Sequence, residues 1–153
     1  MLNPKFSLTL KTCLFLAIFT SNSCGTLGSL SQSQKELDLS IKTYNLEFES
    51  KAIDASAQFV HPLYRPEYLS NSLEVRKRIT FFDSTIIDIR FFNNGVPTTR
   101  NSNERFDRAI VIIRYQVTVL PSTKLETITV EQEWVRYQDQ WVTIPDLALL
   151  LER

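Results

Sequence analysis

The chain has 153 residues, the length of a single domain. Apolar residues make up 43% and charged residues 22%, which excludes a disordered chain. Seventeen Lys and Arg balance seventeen Asp and Glu, and loss of a leader carrying Lys5 and Lys11 leaves 15 basic against 17 acidic side chains. Nucleic acid is therefore not an expected partner, because phosphate binding needs clustered positive charge to displace counterions.

The first elements in chain order form a leader. Lys5 and Lys11 precede the apolar run Cys13-Leu14-Phe15-Leu16-Ala17-Ile18-Phe19, and no acid occurs before Glu36. A bilayer-spanning helix needs about 20 apolar residues. This run is too short for that, but it fits the apolar region of a secretory signal. Ser21-Asn22-Ser23 is a small-x-small cleavage site, and a cut after Ser23 makes Cys24 the first mature residue. The segment resembles a bacterial lipoprotein signal, in which a small residue precedes the cysteine that receives lipid. Gly25 matches the usual small follower, whereas Ser21 stands where that motif prefers Leu.

The resemblance implies Cys24 as a lipid anchor, with residues 1–23 a signal peptide, 24–34 a flexible tether and 35–153 the domain. Burial contributes about 0.8 kcal/mol per methylene, so the two or three acyl chains of such an anchor hold essentially permanently. The expected location is the cell envelope, facing the periplasm. Gly25, where Asp would favour inner-membrane retention, points to the outer membrane. The same cut without acylation gives a secreted or periplasmic soluble protein.

Within the domain, Ser33-Gln34-Lys35-Glu36 has the form of a capping box. Leu37, Ile41, Tyr44 and Phe48 follow on one helical face, with Asp38, Lys42, Asn45 and Glu49 mostly on the other, predicting a helix over 34–50. Ala52 to Val60 predict a second, shorter helix that ends near His61-Pro62. Residues 63–73 read as a loop with one helical turn, and Arg76-Lys77-Arg78 as a solvated strand start. Residues 79–82 and 86–92 are rich in β-branched and aromatic side chains, with Asp83-Ser84 as a bulge or break. Asn93-Asn94-Gly95 signals a turn, followed by a polar loop to residue 105. Residues 106–120 and 125–137 alternate as strands, Gln138-Asp139-Gln140 turns the chain, and Trp141 to Ile144 return. Pro145 stops that strand, and residues 146–151 are an apolar tail expected to dock. Segregated helices and strands predict an α+β fold, with the N-terminal helices covering an antiparallel sheet of four to five strands.

Three stretches, "YNLEFESKAIDASAQFV" (44–60), "ERFDRAIVIIRYQVTVL" (104–120) and "EQEWVRYQDQWVTI" (131–144), resemble the NTF2-like superfamily, a cone of curved sheet wrapped on helices. Small bacterial lipoproteins carry similar stretches in the same order. The resemblance covers about 34–144. The superfamily's closing turn often has Asp-Gly, where this chain has Asp139-Gln140. Cystatin-like and other helix-on-sheet folds fit the same order of elements.

Both cysteines lie in the first 24 residues and His61 is the single histidine, so no disulfide or thiolate metal site is expected in the body, and no cofactor. There is no Gly-rich phosphate loop and no G-x-S-x-G. NTF2-like enzymes place acid/base groups inside the cone, and the candidates for such a role are His61, Asp83, Asp88, Glu131 and Glu133. Asp88, Glu131 and Glu133 are expected on solvent-facing strand positions, and His61 at a helix end. Trp134 and Trp141 are expected in the core, with an apolar pocket or protein-binding surface lined by them, Tyr115 and Tyr137 as the alternative. The expected function is a non-catalytic, membrane-anchored envelope lipoprotein that binds a protein partner or a small apolar ligand. The alternatives are an isomerase- or hydratase-type enzyme and a secreted homodimeric assembly subunit.

Overall fold

A computed structural model of the chain describes residues 31–99 and 106–152. The expected signal peptide, Cys24 and the first part of the expected tether lie outside the described residues. Helix α1 (Gln32–Glu49) starts two residues earlier than predicted. Its capping box is built by Ser31 and Gln34, whose side chains each accept from the other's backbone N–H, and not by Ser33 and Glu36. Both pairs have the right spacing, and the sequence alone does not separate them. Leu37, Ile41, Tyr44 and Phe48 are all buried, as their spacing demands.

A short α2 (Ile53–Ser56) continues into a 3-10 turn at Ala57–Phe59. Helix α3 (Arg65–Arg78) occupies most of the segment read as a loop. Its helical signal is faint because only Tyr68, Ser72 and Val75 are buried, a narrow stripe with a serine at its centre. Pro66 falls in the first turn, where its missing N–H costs nothing. Arg76, Lys77 and Arg78 form the last turn of this helix and complement its dipole, rather than opening a strand.

Five antiparallel strands follow, β1 (Ile79–Asn93), β2 (Val96–Thr98), β3 (Arg108–Val119), β4 (Leu125–Tyr137) and β5 (Gln140–Ile144), in one open sheet of order β2-β1-β3-β4-β5. The molecule is thus α+β, helices first and sheet second. β2 takes part of the predicted polar loop, and Asn94-Gly95, both at positive φ, form the two-residue turn into it. Gln138 and Asp139 do the same between β4 and β5.

β1 runs without a break through Asp83-Ser84. It carries two bulges, at Phe82 and Ile87, which have no partner in the β3 ladder. Each bulge flips which residues face the helices. Ile79 and Phe81 lie opposite buried Val119 and Val117, then Ser84 and Ile86 opposite Tyr115 and Ile113, then Ile89 and Phe91 opposite Val111 and Ala109. A period-two reading therefore misplaces Ile87, which is exposed and does not share a face with Ile89.

The core lies between α1 and the sheet. Tyr44 stacks on Phe48 and meets Trp134 edge-on at 5.7 Å, while Phe48, Phe81 and Tyr115 form a chain of ring contacts. Phe106 lies between Phe91 and Trp141. The tail forms α4 (Ala148–Leu151), docked through Leu147 and Leu150. The opposite face of the sheet presents Thr80, Thr85, Arg114, Thr127, Thr129 and Glu131, all exposed, as expected of an antiparallel sheet solvated on one side.

Candidate functional site: a groove beside the first helix

The flank of α1 next to its core face carries Asp38, Lys42, Asn45 and Glu49, a stripe at spacings of four, three and four. That flank and the Ser84–Ile89 stretch of β1 do not close on each other. Between them is a groove of about 680 Å³, with Ile41, Ile86, Ile89 and Ile113 supplying its apolar walls. Ile86 faces the helices yet is 47% exposed, and Leu46 at the rim is 63% exposed, so the groove opens to solvent. Its size is that of a small-molecule site. It runs along α1 from Asp38 to Glu49, about 16 Å at 1.5 Å per residue.

Behind the groove lies a closed hydrogen-bond network. Asn45 Oδ1 accepts from Tyr115 Oη at 2.6 Å and from Gln132 Nε2 at 2.7 Å. Gln132 Nε2 also donates to Tyr115 Oη at 3.1 Å, and Gln132 Oε1 accepts from Asn45 Nδ2 and Trp134 Nε1. Asn45 Nδ2 donates to the Ile41 carbonyl at 2.8 Å. Burial, reinforced by the Glu49 charge, holds the Tyr115 phenol protonated far above its ordinary range. Every member has a partner, so the network fixes α1 on β3 and β4.

Glu49 is different. It is half-buried at the C-terminal end of α1, and its Oε1 is shut off from solvent with no hydrogen-bond donor. Desolvation raises its carboxyl above the usual range and Asp83 adds to this, while the Ser84 hydroxyl acts in the other direction. The last turn of α1 contains no basic residue.

None of the sequence-predicted acid/base candidates lines this groove. Asp88 and Glu131 both pair with Arg90, at 3.5 and 3.0 Å, and Glu133 pairs with Arg108 at 2.6 Å. Asp83 is exposed and reaches the groove only through its charge on Glu49. His61 stacks edge-on against Tyr137 at 4.6 Å, its backbone N–H donates to the Thr143 carbonyl, and its Nδ1 accepts from Leu63 N. Trp134, Trp141 and Tyr115 are core residues. Asn45 and Glu49 were legible only as residues off the core face of α1. The signal that marks them is their i, i+4 spacing, each directly following a buried aromatic, Tyr44 and Phe48. Among the described residues no group of three His, Cys, Asp or Glu is placed to hold a metal, and no helix is long and apolar enough to cross a membrane.

The fold and groove define a class, an α+β domain with a helix laid beside a partly uncovered sheet edge. No protein-family model and no curated protein matches the chain.

Proposed function

We propose that the protein is an envelope lipoprotein, anchored through Cys24, whose domain binds a small apolar ligand between α1 and β1. The observation that carries the binding half of this reading is the groove itself, about 680 Å³ walled by four isoleucines beside a helix that leaves β1 partly uncovered. The anchoring half rests on the leader, in which Cys24 follows an apolar run and a small-x-small site. The finer fold class we propose is an NTF2-like cone, in which the groove takes the place of the cone's interior. A protein partner along β1 is a second reading, favoured by bulged Phe82 and Ile87, which are 63% and 53% exposed.

Native mass spectrometry of the protein from its host tests the binding reading, together with apolar-dye titration of Ile86→Trp, a substitution that fills the groove from an exposed position. A bound small molecule and at least about tenfold weaker dye binding by the variant are expected. Absence of any bound molecule, with dye binding unchanged in Ile86→Trp, overturns it. The intact mass of the mature protein reports the cut and the acyl chains together.

A further inference from the structure

We infer that the groove selects a cationic ligand, an apolar amine whose ammonium group lies at the Glu49 end and whose hydrocarbon body covers Ile86 and Ile89. This inference rests on the groove being a ligand site. Three features of that end favour positive charge. The carboxyl of Glu49 lines that end of the groove and is half-buried, so it offers a cation a partly desolvated acceptor. The C-terminus of α1 brings the negative end of its dipole there, and its last turn has no base to offset it. Asp83 on β1 adds further negative charge.

The nearest cation in sequence, Lys51, is turned away, with Nζ on the Arg76 carbonyl at 3.1 Å. Lys42 lines the groove about two helical turns from Glu49, beside Asp38. Tyr115 on β3 stays neutral. The positive charge of a bound ammonium would oppose the burial and the Asp83 repulsion that now raise the Glu49 carboxyl. An anionic head would meet Glu49, Asp83 and the helix end together.

The test is calorimetric titration of the full chain carrying Cys24→Ser, near neutral pH, with dodecylamine, dodecanol and dodecanoate, each monomeric in solution. Dodecylamine is expected to bind at least about tenfold more tightly than dodecanoate, the ratio given by one charge-assisted hydrogen bond. Glu49→Gln, which keeps the shape, should abolish that preference. Glu131→Gln, on the far face, should keep it. Equal binding of amine and carboxylate, or a preference that survives Glu49→Gln, overturns the inference while leaving the ligand site standing. Failure of all three chains to bind overturns both.

Discussion

At Glu49 burial and charge oppose one another. Its folded-state pKa is raised above the unfolded value, so the native state takes up this proton first as pH falls. Stability linked to it is complete below the unfolded pKa and is lost as pH rises through the folded one. Glu49→Gln is therefore expected to raise the urea midpoint of the ligand-free protein near pH 7, with the gain vanishing below about pH 4. A gain that persists in acid would assign it to packing instead. The Asn45 network makes a contrasting case. Tyr115→Phe leaves Asn45 Oδ1 still bonded to Gln132, so its expected cost is about 1 kcal/mol. Asn45→Leu takes the acceptor from the Tyr115 hydroxyl and a partner from Gln132, and about 2–3 kcal/mol is expected. Denaturant unfolding of the two variants separates them, and equal costs would mean that the network is not closed as described.

At the scale of elements, helix α1 does two jobs with adjacent faces. Its Leu37–Ile41–Tyr44–Phe48 face makes the core, and Ile41→Ala is expected to cost about 2–5 kcal/mol because the cavity opens under a fully buried side chain. Its neighbouring flank makes the groove wall. The β4–β5 hairpin holds Gln138 and Asp139 at φ of 47° and 61°. Asn-Gly fits such a turn better, so Gln138→Asn with Asp139→Gly should raise stability by up to about 1 kcal/mol in thermal unfolding. The bulges in β1 matter for the same reason as the helix flank. By flipping the strand's facing twice, they place Ser84 and Ile86 on the groove side and Ile87 outside.

For the whole molecule, the proposed reading makes placement depend on the leader and ligand binding on the groove, and the two are separable. Under the lipoprotein reading, Cys24→Ser is expected to move the protein from the membrane fraction to the soluble envelope fraction with ligand binding intact. Fractionation of the two forms in the host checks this, and an unchanged membrane association would mean that Cys24 is not the anchor.

Strong periodicity and turn chemistry are local, and they were enough to predict from sequence the order of helices before sheet, the core face of α1, the strands β3 to β5 and the turn between β4 and β5. Ile113, Tyr115, Val117 and Val119 alternate because one side of β3 is buried, and no other part of the chain is needed to see it. Helix α3 escaped because its buried stripe is narrow and passes through Ser72. The groove escaped for a different reason. It exists only where the flank of α1 fails to meet a bulged strand far away in the chain, and Glu49 meets Ser84 and the Asp83 charge only because the fold brings that strand beside it. A residue's polarity is written in the sequence, whereas its desolvation is a property of what the fold packs against it.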